Sequence, residues 1–162
     1  MLASPAHVAS TSSSKATPSY PKIDYELPID PTKEQVVSLI SALFPGDICL
    51  EDCTIRQFTD GLTNRLFKIN YFSTNQKRKV LLRIYGEKTE LLIDREKELQ
   101  SMIRLHEAGL APKVYGTFTN GVCYGFISGT PFNVIDMQDS RKYKLVAAHM
   151  AKFHSVDIPN IP

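Results

Sequence analysis

Hydrophobic and polar positions along this chain change period several times, and each change marks an element. Residues 1–22 carry no period. Ser, Thr, Ala and Pro dominate them, as in Ser10-Thr11-Ser12-Ser13-Ser14, and too little apolar surface is present to offset the entropy of ordering them. A disordered tail over 1–22 is expected. The segment has no acid before Asp24, as a transit peptide would, but it also has no arginine, which argues against targeting. Helical spacing begins after Asp30-Pro31, a capping residue followed by proline at the first helical position. Val36, Leu39, Ile40, Leu43 and Phe44 then recur on one side until Pro45-Gly46 stops the helix.

From Leu50 the period shortens to that of strands. Thr54 to Phe58, Leu66 to Phe72 and Val80 to Tyr85 read as a three-stranded antiparallel meander. Thr89 opens a helix predicted to run to about Ala108, with Leu92, Leu99, Met102, Ile103 and Leu105 on its apolar side and Gly109 as C-cap residue. Val114 to Phe118 and Val122 to Ile127 flank Asn120-Gly121, a hairpin signal in which both turn residues take positive φ. After Ser128-Gly129-Thr130-Pro131 a last amphipathic helix is predicted from Ser140 to His154, with Leu145, Val146, Met150 and Phe153 facing inward. The sum is an α+β fold: a five-stranded antiparallel sheet, one crossing helix and flanking helices.

Composition narrows the choice of function. The 162 residues, 43% hydrophobic and 22% charged, are enough for one ordinary core and exclude a large multidomain enzyme. A net charge of +2 with no Lys/Arg block gives no nucleic-acid footprint. Apolar runs such as Val80-Leu81-Leu82 fall far short of the roughly 20 residues of a membrane-spanning helix. The N-terminus has neither the basic nor the apolar region of a secretory signal. Cys49, Cys53 and Cys123 are odd in number and lack a second Cys or His pair at zinc-finger spacing. Together these features predict a reducing, cytoplasmic setting.

Two places invite chemistry. The turn Asp60-Gly61-Leu62-Thr63-Asn64 has small polar residues whose backbone N–H groups and Thr hydroxyl suit an anion such as a nucleotide phosphate. With a single glycine it also reads as an ordinary strand connection. Arg83 interrupts an apolar strand and needs a carboxylate if its side is covered. Glu96 and Glu98 on the next helix are the candidates, in an arrangement that serves either phosphoryl transfer or a purely structural ion pair. His7 and His106 give no signal, and His149 and His154 do not share a helix face.

Four ordered motifs then resemble the choline/ethanolamine kinase family. These are Asp60-Gly61-Leu62-Thr63-Asn64-Arg65-Leu66-Phe67, Leu81-Leu82-Arg83-Ile84-Tyr85-Gly86, Thr89 to Glu96 (TELLIDRE), and Ala111-Pro112-Lys113-Val114-Tyr115-Gly116 followed by Asn120-Gly121. Thr-Asn in the loop, Arg-Ile-Tyr-Gly and Thr-Glu-Leu-Leu-Ile-Asp-Arg-Glu look more like ethanolamine than choline kinases. The resemblance implies a protein-kinase-like N-terminal lobe over 23–127, with 128–162 forming the hinge exit and the first helix of a second lobe that is otherwise absent. It implies that Asp60, Gly61, Leu62, Thr63, Asn64, Arg65 and Leu66 cover the ATP phosphates and that Arg83 holds the α/β phosphates. Glu98 is the implied helix partner, with Glu96 as the fallback. Tyr124, Gly125, Phe126, Ile127, Ser128, Gly129 and Thr130 form the implied hinge against adenine.

The catalytic base and the magnesium ligands of such kinases belong to a His-x-Asp-x-x-x-x-Asn loop and a later Asp, and neither is in the sequence. Phe153-His154-Ser155-Val156-Asp157 lacks the following Asn. The resemblance therefore implies ATP as ligand, with Mg2+ and ethanolamine engaged only alongside a second lobe, and a fragment or short isoform inactive by itself. A non-catalytic nucleotide-binding or regulatory partner of a full-length kinase and a choline kinase are the alternatives. The surface meant for the second lobe makes dimerisation or pairing with a complete kinase an expectation as well.

Overall fold

Cross-strand alternation builds the sheet. The computed structural model describes residues 20–46, 49–58, 64–73, 76–86, 89–91 and 93–157. In chain order the elements are β1 (Lys22–Ile23), α1 (Lys33–Leu43), β2 (Cys49–Phe58), β3 (Arg65–Ser73), β4 (Gln76–Ile84), α2 (Arg95–Glu107), β5 (Val114–Phe118), β6 (Gly121–Gly125) and α3 (Ser140–His154). The sheet has six strands in the order β1-β5-β6-β4-β3-β2. Every pairing is antiparallel except that of β1 with β5.

The expected count of five strands is thus one short. The missing strand, β1, has two residues and lies parallel to a partner more than ninety positions away, pairing Lys22 with Thr117 and Ile23 with Phe118. Two residues are too few to show a period, so the strand is invisible until β5 is in place. Order also starts ahead of Asp30. The carbonyl of Pro21 accepts from Thr117 N, and Leu27 is fully buried.

One face of the sheet carries the main core. Phe67, Ile69 and Tyr71 of β3, Val80, Leu82 and Ile84 of β4, and Cys123 of β6 point to this side, and Val36, Leu39, Ile40 and Leu43 of α1 cover them. The start of α1 corrects the sequence reading. Thr32, not Asp30, is the cap: its hydroxyl accepts from Gln35 N at 3.3 Å while Gln35 Oε1 accepts from Thr32 N at 2.8 Å. This reciprocal pair satisfies two otherwise orphaned donors, which Asp30 one residue before a proline does not.

Among the described residues, the other face is covered only at one end. There α2 lays Leu99 over Val114 and Val122, with Tyr20, Tyr85, Met102, Ile103 and Tyr124 packed around them. This helix is shorter than predicted. Thr89–Leu91 form a single 3-10 turn, and the Asp94 carboxylate accepts from Glu96 N and Lys97 N, so the α-helix restarts at Arg95. An aspartate inside an apolar period caps a new helix more readily than it continues an old one.

The β5–β6 hairpin is present, but its two-residue turn is Thr119–Asn120, since Phe118 pairs with Gly121. Among the described residues the glycines with positive φ are Gly46 and Gly109, the stop and the cap of the sequence reading. Gly121 is needed for a different reason: a Cβ there would lie 2.2 Å from Phe118 Cζ and 2.3 Å from the Arg83 carbonyl oxygen. Asn120 ties the turn to the N-terminal segment, donating from Nδ2 to the Leu27 carbonyl at 2.7 Å and accepting at Oδ1 from Leu27 N at 3.1 Å.

The last helix departs furthest from expectation. α3 has the predicted boundaries and an Asp139 cap, yet no residue of it is buried, and Leu145 is 70% and Met150 53% exposed. Among the described elements it packs chiefly against the short 3-10 turn Asp136–Gln138, which leaves Leu145 and Met150 uncovered.

Candidate functional site

Register places three rows of side chains on the less covered face of the sheet. Phe58, Leu66, Arg83 and Val122 are aligned across β2, β3, β4 and β6; Arg56, Lys68, Leu81 and Tyr124 form the next row, and Thr54, Asn70 and Lys79 a third. α2 covers the β6 end of these rows. Over β2, β3 and β4 the face presents Arg56, Lys68 and Lys79, with Arg83 at the border between covered and open. Three exposed or half-exposed cations beside an apolar strip of Leu66 and Leu81 favour an anionic ligand with a flat apolar part.

The border holds an ion-pair cluster. Arg83 Nη1 donates to Glu98 Oε1 at 2.8 Å, and Arg95 Nη1 donates to Glu98 Oε2, also at 2.8 Å. The three side chains are between 18% and 25% exposed, so the pairs are more than surface ornaments but remain partly screened. The structure thereby brings together Arg83 and Glu98 and leaves Glu96 exposed on the first turn of α2. Tyr85 and Tyr124 flank the cluster. Burial pushes both phenols above their usual pKa, and the Glu98 carboxylate adds to the rise against the lowering effect of Arg83. Both rings therefore stay neutral donors at the edge of the charged group.

The expected hinge is placed at the end of β6. Tyr124 lies on the open face beside Leu81, and Gly125 belongs to the opposite one. The N–H of Gly125 already donates to Lys113 O at 2.9 Å and that of Phe126 to Lys79 O at 3.4 Å. Ile127, Ser128, Gly129 and Thr130 follow as an exposed run outside any helix or strand, with Ile127 67% exposed. Gly125 and Phe126 thus spend their N–H groups inside the fold.

Of the predicted phosphate loop, Asp60, Gly61, Leu62 and Thr63 lie outside the described residues. Asn64 is half-buried where β3 begins, Arg65 is exposed, and Leu66 is half-buried next to Arg83. Among the described residues no three His, Cys, Asp or Glu side chains gather as a metal cluster. His149 stacks on Phe153 with ring centroids 5.1 Å apart.

Sequence reasoning missed two participants. Lys68 Nζ lies 4.1 Å from the centroid of the Phe126 ring, which links β3 to the segment after β6 by a cation–π contact. Its signal was alternation: Lys68 falls between Phe67 and Ile69, so it must face the open side. Arg95 was also missed. It is three residues ahead of Glu98, a spacing that puts both on one helix face.

The sequence model of the family described as choline/ethanolamine kinase matches residues 55–161. Mouse ethanolamine kinase 2 is 39% identical over 106 residues, which is 65% of this chain and 27% of the relative. A probable ethanolamine kinase of Nematostella vectensis is 34% identical over 140 residues, 86% of this chain and 40% of the relative. Among solved structures, a choline kinase from Cryptosporidium parvum superposes with a TM-score of 0.64 at 26% identity, over 80% of this chain and 37% of that one. An ethanolamine kinase from Plasmodium vivax gives 0.56, also at 26% identity, over 68% and 28%. The chain therefore spans less than half the length of these relatives. With residues 55–161 matched by the family's sequence model, well over half of its length, the chain belongs to the choline/ethanolamine kinase family.

Proposed function

We propose that this chain is the nucleotide-holding lobe of an ethanolamine kinase, which transfers the γ-phosphate of ATP to the hydroxyl of ethanolamine, the first step toward phosphatidylethanolamine. The observation that carries the reading is the Arg83–Glu98 pair at 2.8 Å, on the border of a basic, partly open sheet face. A guanidinium held by one carboxylate oxygen keeps further N–H groups for phosphate oxygens. Asp60 to Leu66 are assigned to the phosphates, and the main chain of Ile127 to Thr130 to adenine. Lys68 over Phe126 adds a second positive charge near the base.

ATP brings Mg2+ to chemistry of this kind. The catalytic base, the metal ligands and the pocket for the cationic amine are assigned to residues outside these 162. The similarity to proteins named ethanolamine kinases supports the choice of acceptor over choline. A cytoplasmic setting is part of the proposal and draws on the free, buried thiols of Cys53 and Cys123. No described helix is long and apolar enough to cross a membrane.

Calorimetric titration of the purified chain with ATP, alongside an assay for phosphoethanolamine, tests the reading. ATP binding without turnover is expected. Absence of ATP binding overturns the nucleotide assignment, and phosphoethanolamine formation by residues 1–162 alone overturns the division of labour.

A second reading, a non-catalytic partner of a complete kinase, is favoured by the uncovered side of α3. There a cavity of about 500 Å³ is lined by Phe132, Leu145, Val146, His149 and Met150 among others. Co-precipitation with a full-length ethanolamine kinase tests it, with a scrambled-sequence control setting the background that it must exceed.

A further inference from the structure

Glu98 divides its two oxygens between two arginines, Oε1 to Arg83 and Oε2 to Arg95. The second arginine is itself fixed from three directions. Besides Glu98, Arg95 donates through Nη2 to the Thr89 hydroxyl, and its guanidinium lies 3.9 Å from the centroid of the Tyr85 ring. The Thr89 hydroxyl in turn donates to the Gly86 carbonyl at 2.7 Å. Tyr85 and Gly86 directly follow β4, the strand that carries Arg83. Arg95 therefore ties the first turn of α2 to the end of that strand, and holds Glu98 by one oxygen while Arg83 holds it by the other.

This division has an electrostatic consequence. A carboxylate left alone with one guanidinium settles into a two-pronged pair that consumes two N–H groups and cancels the charge. With Arg95 on Oε2, Arg83 gets a single oxygen, and the cluster of two cations and one anion keeps a net charge of +1. We propose that Arg95 is a positioning residue for nucleotide binding: by occupying Glu98 Oε2 it prevents Glu98 from sequestering Arg83, whose remaining N–H groups then stay available to phosphate oxygens. Arg95 does not touch the nucleotide in this arrangement; it acts through Glu98.

The proposal rests on the nucleotide reading above and is tested by comparing ligands with and without phosphates. Wild-type chain and Arg95→Met are titrated with ATP and with adenosine, and circular dichroism melting confirms that both are folded. In Arg95→Met, ATP affinity is expected to fall about tenfold, the size of one charge-assisted hydrogen bond, while adenosine affinity stays as in wild type. A merely structural role lowers both together. Arg95→Lys restores part of the ATP affinity, because an ammonium still reaches Oε2. In a Glu98→Ala background, Arg95→Met has no further effect on ATP, since no carboxylate remains to capture Arg83. Equal ATP affinity in wild type and Arg95→Met, or an equal loss for ATP and adenosine, overturns the positioning role and leaves the nucleotide reading standing. A wild-type chain that binds neither ligand overturns the reading and the positioning role with it.

Discussion

The two faces of the sheet are made from the same strands, residue by residue in alternation, and they have opposite fates. On one side Ile69, Leu82 and Ile84 reach at most 1% exposure beneath α1. On the other, one position along, lie Lys68, Leu81 and Arg83, half-buried and only partly roofed by α2. The first face gives stability through area removed from water. The second leaves that area unburied, and its cations retain the hydration and the field that a phosphate ligand needs. Charged residues are tolerated here because folding does not depend on covering them.

If that division holds, the largest effect on stability comes from the closed face. Leu39→Ala, at a fully buried α1 position, is expected to destabilise the chain by about 3 kcal/mol, read as a lower urea midpoint. The folded fraction should retain wild-type ATP affinity; a specific loss of affinity in that fraction breaks the separation of the two faces. Gly121→Ala probes the seam between them. Its new methyl presses on Phe118 of the core and on the carbonyl of Arg83. It is expected to cost about 2 kcal/mol and to weaken ATP binding as well, the one substitution in this series to do both. An unchanged ATP affinity at full folding would show that Arg83 tolerates movement of its backbone.

Smaller effects follow at the helix ends and on α3. Thr32→Ala removes half of the capping box of α1 and should lower stability by about 1 kcal/mol without altering ligand binding, as measured by the same denaturation and titration. Leu145→Gln, on the uncovered side of α3, is expected to change stability by no more than about 0.5 kcal/mol. It should instead reduce self-association in sedimentation experiments at high concentration. A drop in stability comparable to that of Leu39→Ala would mean that α3 is covered after all.

Much of the sheet was legible before any coordinates. The apolar patterns of Leu66 to Phe72 and Val80 to Tyr85 place β3 within one residue at each end and β4 within four at its start and one at its end, and β5 has the predicted ends. A lone arginine in an apolar strand announced its need for a carboxylate, and Glu98 supplies it. The role of Arg95 was harder to read. It belongs to a charged stretch, Asp94 to Glu98, in which several pairs have helical spacing, and only the position of Glu98 under β4 selects one of them. β1 was illegible for the same kind of reason: Lys22-Ile23 becomes a strand only because β5 offers it an edge. Asp94 shows a local rule misjudged, where a cap was read as a helix interior.

α1 and α3 mark the boundary between what sequence settles and what it does not. Both are amphipathic and capped, and for both the sequence determined the helix and which side of it is apolar. Neighbours within one turn decide those properties, through propensity, capping and period. Whether the apolar side is buried was decided only in three dimensions. α1 lies on the strongly apolar face of the sheet, whereas α3, carried away by an exposed connection after β6, has none of that surface within reach. The same holds for the site. Composition and alternation put Arg83, Lys68 and Glu98 in the chain, but the choice of which face stays open, and hence which charges remain free for a ligand, depends on a competition for buried area among elements far apart in sequence.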